Sequence, residues 1–154
     1  MSGFIDLAGL EFKRRELAAD ERVRLLEKVK VRLEGLDEVL FAYAYGSFIG
    51  GVSFRDLDIA VWLGNPGKAF YYTVDFSATL GLEVGVPVDV QVLNEAPLPF
   101  KFNVYTRGRL LFSKDDRLRL RLVDEALREY MDLKLLREIT LKLSGNMKLE
   151  AQGL

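Results

Sequence analysis

The chain has 154 residues, enough for one domain with a sizeable core, and its 49% hydrophobic and 29% charged residues are ordinary for a soluble globular protein. It lacks both cysteine and histidine, which excludes disulfides, thiolate nucleophiles and imidazole chemistry, and leaves carboxylates, Lys, Tyr, Ser and hard cations such as Mg²⁺ or Mn²⁺. A net charge of −1 argues against a grip on extended nucleic acid.

No run approaches the roughly 20 apolar residues of a membrane span, and Met1-Ser2-Gly3-Phe4 shows no secretory pattern, so a cytoplasmic location is expected. The first ten residues are mixed in character. Residues 11–35 read as a helix, with Leu17, Leu25, Leu26, Val29 and Leu33 at helical spacing and Gly35 as the stop. Val39–Tyr45 is an apolar, aromatic run that reads as a buried strand. Gly46 ends it, Ser47 can cap a short helical turn, and Gly50-Gly51 closes that turn.

A second strand is expected over about 56–63, followed by a helix that opens at Asn65-Pro66 and runs to about Leu82. Residues 86–93 alternate strictly: Val86, Val88, Val90 and Val92 on one face, Asp89 and Gln91 on the other. A short helix over 97–107, a short strand at 110–112 and two helices over about 115–130 and 132–144 complete the chain, the last stopped by Gly145-Asn146. The order suggests a mixed sheet covered by helices, an α/β (α+β) fold.

The chemistry concentrates in three places. Asp56 and Asp58, at i and i+2 of a strand, point to one side and can share a cation. Asp89 lies on the polar face of another strand, and if the two strands are neighbours the three carboxylates converge. Such a cluster repels itself without cations, and bound metal reverses that cost. Glycine at 46 lets backbone approach a phosphate closely, and Ser47 adds a hydroxyl. Asp89 is then the candidate to help deprotonate an attacking hydroxyl. Tyr71 and Tyr72 could stack on a base, but packing is the favoured reading, and Arg117, Arg119 and Arg121 read as a solvated helix face. The leucines from Leu118 to Leu143 leave apolar surface for a partner, and a homo-oligomer is left open.

Gly46-Ser47, Asp56-Leu57-Asp58 and Asp89 together resemble the three-part motif of the DNA polymerase β-like nucleotidyltransferase superfamily. Val88–Pro97, Arg107–Phe112 and Tyr130-Met131-Asp132-Leu133 resemble the minimal nucleotidyltransferases, the MNT antitoxin group, and the resemblance runs from about residue 11 to the end. It implies one nucleotidyltransferase domain over 1–154, with a catalytic core over about 11–112 and a helical extension over 113–154. It implies Mg²⁺ (or Mn²⁺), ATP as substrate, and transfer of AMP to a tyrosine hydroxyl of a HEPN-family toxin, which silences the toxin. Residue by residue, Asp56, Asp58 and Asp89 match the catalytic metal ligands, and Gly46 and Ser47 match the phosphate-contacting pair. The Gly-Ser to D-x-D spacing is about two residues shorter than usual, and the basic residue often found after Gly-Ser is missing. Arg55 can replace its charge, and so can Lys68. The alternatives are a module that neutralises a partner by binding alone, and nucleotidyl transfer to a small molecule.

Overall fold

The computed structural model describes residues 4–5, 11–12, 14–51 and 53–151. Apart from Phe4-Ile5, the first ten residues lie outside that set. In chain order the elements are β1 (Phe4–Ile5), β2 (Glu11–Phe12), β3 (Arg15–Glu16), α1 (Ala19–Glu34), β4 (Val39–Tyr45), α2 (Ser47–Gly50), β5 (Ser53–Phe54) and β6 (Leu57–Leu63). A 3₁₀ turn (Pro66–Lys68) leads into α3 (Ala69–Tyr71), a π-helical turn (Tyr72–Phe76) and α4 (Ser77–Val84). Then follow β7 (Val88–Val92), α5 (Leu98–Arg107), β8 (Arg109–Ser113) and α6 (Asp116–Ala151).

Four strands form the main sheet in the order β7-β6-β4-β8. β4 runs antiparallel to both β6 and β8, while β6 and β7 are parallel, joined by the helical crossover between them. The unbroken apolar run of β4 is explained by its place: it is an inner strand covered on both faces. Val39, Ala42 and Ala44 join Leu57, Ile59, Val61 and Leu63 of β6 in a core with α1 and α4, and Phe41 and Tyr43 join Ala60, Leu93 and Val104 in a smaller one under α5.

α1 starts eight residues later than the periodicity suggests. Arg15 and Glu16 pair instead with Phe54 and Ser53, and Arg14 donates to the hydroxyl and carbonyl of Ser53. The helix proper starts just before Asp20 and Glu21, where acidic side chains favour a helix N-terminus. Asn65 caps the 3₁₀ turn by accepting from the Gly67 amide, as its sequence position suggested. Tyr72 is buried against Phe76 and donates to Glu38 at 2.7 Å, while Tyr71 stays half exposed; packing, not base stacking, occupies Tyr72. The two C-terminal helices expected from sequence are one continuous helix, α6. Residues 130–132 hold no proline or glycine to break it, and Gly145 is carried inside at the usual cost of about 1 kcal/mol against alanine. Phe102 of α5 stacks on Tyr130 with ring centroids 3.9 Å apart, and beyond that contact residues 131–146 are all exposed.

Candidate active site

Sheet geometry brings the three aspartates together. Leu57, Ile59, Val61 and Leu63 must enter the larger core, so Asp58 is turned to the opposite face with Ala60. On β7 the same constraint acts through Val88, Val90 and Val92, which leaves Asp89 and Gln91 on the other face. The parallel register then pairs Asp58 with Asp89, and the antiparallel register places Tyr45 across from Asp58 on its other side. Asp56 sits in the bend just before β6. One carboxylate oxygen from each of Asp56, Asp58 and Asp89 lies within 4.8 Å of the others, and all three residues are partly buried.

This arrangement is electrostatically costly. Burial, followed by the charges of Asp56 and Asp89, pushes the Asp58 carboxyl up to about 7. Asp56 is also raised, by burial and then by Asp89. The Tyr45 hydroxyl is held far above the ordinary tyrosine value, first by burial and then by Asp58, Asp89 and Asp56, so it stays protonated. Three hard oxygen donors at such spacing fit a divalent cation of the Mg²⁺ or Mn²⁺ type, and a cation removes the mutual repulsion.

A stability consequence follows from Asp58. Its folded-state pKa lies above that of an unfolded aspartate, so protonated Asp58 favours the fold. That contribution is complete below about pH 4 and is lost as pH rises towards 7. In metal-free protein, Asp58→Asn is therefore expected to be more stable than wild type by an amount that grows from pH 5 to pH 8. Discounted for solvent screening of this half-exposed group, the gain at pH 8 is on the order of 1 kcal/mol, about 2–4 °C in Tm. Thermal melts across pH check this, and added Mg²⁺ closes the gap by stabilising wild type.

Gly46 touches the same cluster. Its backbone has φ 78° and ψ −158°, a region open almost only to glycine, and a Cβ there would run into Asp58 Oδ2. Ser47, exposed, is the first residue of α2. Arg22 of α1 holds that turn by donating to the Phe48 carbonyl at 2.5 Å, with its guanidinium over the Phe48 and Phe54 rings. Arg55 is exposed beside Asp56 and lowers that carboxyl, although less than burial and Asp89 raise it. Lys68 is engaged elsewhere, 3.0 Å from Glu38, so of the two basic substitutes only Arg55 lies beside the carboxylates.

Two contributors escape a reading of the sequence. Gln91 donates to Asp89 Oδ1 at 2.8 Å, which fixes one oxygen of that carboxylate. Its position two residues on from Asp89 on the same face is the available signal. Tyr45 is signalled only by preceding Gly46; its role depends on cross-strand register. Beside them a cleft of about 350 Å³ opens at the sheet edge, lined by Gln91, Asn94, Pro97 and Phe100 among others, and the Phe100 ring meets Tyr45 edge-on at 5.4 Å.

Known proteins supply a context for this geometry. A family model described as polymerase beta, nucleotidyltransferase matches residues 27–117. No curated protein matches the chain in sequence. Among solved structures, a chain from the complex of a tri-AMPylated Shewanella oneidensis HEPN toxin with MNT antitoxin is similar at TM-score 0.59 and 18% identity, over 79% of this chain and 96% of that one. A chain of a toxin-antitoxin MntA-HepT structure is similar at TM-score 0.57 and 18% identity, over 77% and 96%. A chain of a toxin-antitoxin structure with AMP-PNP is similar at TM-score 0.56 and 20% identity, over 82% and 97%. At these identities the likeness is one of fold. No helix among the described residues is long and apolar enough to cross a membrane.

Proposed function

The chain belongs to the polymerase beta nucleotidyltransferase family, and from that premise we propose that it transfers AMP from ATP to a tyrosine hydroxyl of a HEPN toxin and so acts as its antitoxin. The observation that carries this reading is the meeting of Asp56, Asp58 and Asp89 beside the glycine turn. The toxin partner is supported by the fold shared with antitoxins solved in complex with HEPN toxins, one of them tri-AMPylated.

Each residue has a distinct task. Asp56, Asp58 and Asp89 are the groups that would hold Mg²⁺ or Mn²⁺. The bound cation supplies charge neutralisation of the triphosphate and of the charge that develops at the α-phosphorus. Gly46, without a side chain, lets phosphate oxygens come close to the backbone, and the Ser47 hydroxyl and Arg55 guanidinium add donors. Asp89 takes the proton of the acceptor hydroxyl, whose oxygen bonds to the α-phosphorus as the bond to pyrophosphate breaks and pyrophosphate leaves. Gln91 donates to one oxygen of Asp89 and so steadies that carboxylate. Tyr45, kept neutral by burial and then by its acidic neighbours, lies across from Asp58 on the inner side of the cluster.

The test is incubation of the purified chain with α-labelled ATP, Mg²⁺ and a HEPN toxin from the same organism. Label is expected on the toxin, on tyrosine, and only with a divalent cation present. A toxin that is neutralised with no label transferred, and equally well by an Asp56→Ala/Asp58→Ala variant, would point to inhibition by binding alone.

A further inference from the structure

Glycines stand at both ends of the turn from Gly46 to Gly51, and its helix α2 is only four residues long. A helical piece of that length does not hold its own shape in water. Within it the Gly46 carbonyl accepts from the Ile49 and Gly50 amides, and the Ser47 carbonyl accepts from the Gly51 amide. The Phe48 carbonyl draws a donor from outside the turn, Arg22 Nη1 of α1 at 2.5 Å. Arg22 Nε donates at the same time to the Leu17 carbonyl at 3.3 Å. One guanidinium thus ties the chain ahead of α1 to the turn that follows β4.

The same guanidinium lies 5.1 Å from the centroid of the Phe48 ring and 5.5 Å from that of Phe54. Those rings meet edge-on at 4.7 Å, and both are buried. Phe48 therefore anchors the middle of the turn in the core, and Arg22 fixes the peptide that follows it. A charge-assisted bond to a carbonyl is about twice as strong as a neutral one. The turn also borders the acidic cluster, where Gly46 lies close against the Asp58 carboxylate. After Gly-Ser, the run Phe48-Ile49-Gly50-Gly51 brings no cation of its own. The turn instead receives one from α1, on the side of the larger core to which Phe48 and Phe54 belong.

Resting on the nucleotidyl-transfer reading, we propose that Arg22 is a positioning residue for the triphosphate. It acts through the turn: by fixing the Phe48 peptide it keeps Gly46 and Ser47 in place beside Asp58. Lysine cannot fully replace it. A lysine ammonium keeps the charge but loses the planar fork that reaches both carbonyls and lies over the rings.

The test is calorimetric titration of the full chain with AMP-PNP and Mg²⁺, with a thermal melt of each variant. Arg22→Met should raise the dissociation constant about tenfold or more, and Arg22→Lys at least about threefold. Arg32→Met is the control. Arg32 stands about 15 Å further along the same helix, and its guanidinium makes contacts of the same kind, 5.3 Å from the Phe76 ring and 2.9 Å from Glu83. Its loss should lower Tm but leave nucleotide affinity within about twofold of wild type. In label transfer, the Arg22→Met defect should fall in KM for ATP, with kcat within about threefold of wild type. Unchanged affinity in folded Arg22→Met would overturn the assignment, as would an equal loss in Arg32→Met or a defect confined to kcat. If Arg22→Met does not fold, an Arg22→Lys affinity equal to wild type overturns it. A wild type that binds no AMP-PNP would refute the nucleotidyl-transfer reading itself, and the role of Arg22 with it.

Discussion

Asp58→Asn should abolish nucleotidyl transfer while leaving the fold intact. The amide keeps the shape of the carboxylate, so the close approach to Gly46 and the register with Tyr45 and Asp89 survive. What is lost is one anionic oxygen in the centre of the cluster, flanked by the other two acids. If that oxygen holds a cation that supplies several kcal/mol of charge stabilisation, the rate falls by about a thousandfold or more. The measurement is initial rate of label transfer at saturating ATP, alongside a thermal melt. The two readouts should move in opposite directions in metal-free buffer at pH 8, with activity gone and Tm slightly raised. A variant that keeps even a tenth of wild-type activity would remove Asp58 from the proposed machinery.

Gly46→Ala should damage both the fold and the site. The left-handed φ costs an alanine about 1–3 kcal/mol by itself, and the new Cβ meets Asp58 Oδ2, so the carboxylate must move. A Tm lower by about 4–10 °C is expected, with loss of transfer activity. Gly85 supplies a partial control: its φ of 83° is also positive, but with ψ 9° it lies in the left-handed helical region, which alanine enters more cheaply, and a Cβ there meets nothing within 4 Å. Gly85→Ala should cost about 1–2 kcal/mol and keep the activity. Loss of activity in Gly85→Ala as well would make a positive φ, rather than contact with Asp58, the cause.

The elements that carry the chemistry were legible because their signal is short-range. Val39–Tyr45 and the alternation around Asp89 fall where the pattern puts them, and the faces of Asp58 and Asp89 follow from which neighbours are apolar, whereas Asp56 lies in the bend before its strand. The start of α1 was not legible, because pairing of Arg15 with Phe54 joins residues far apart in sequence and overrides a weak helical period. The unbroken α6 was misread because Gly145-Asn146 is a stop only when something ends the helix there, and in this chain nothing does. Convergence of Asp89 on Asp58 was a conditional inference from sequence; strand order and parallel register supply the condition. Gln91 and Tyr45 had no composition cue, since a glutamine or a tyrosine on a strand is common, and their positions gain meaning only across strands.

Ser77 shows how the outermost strand on the acidic side is kept from harm. Its hydroxyl, buried where the π-helical turn meets α4, accepts from the Val90 amide at 2.8 Å and donates to the Tyr72 carbonyl. An edge strand with open amides invites foreign strands to zip onto it, and β7 sits at the sheet margin with one catalytic candidate on it. By occupying that amide from within the same chain, Ser77 removes one of the outward amides a foreign strand would need, and does so with a side chain that is not part of the acidic cluster.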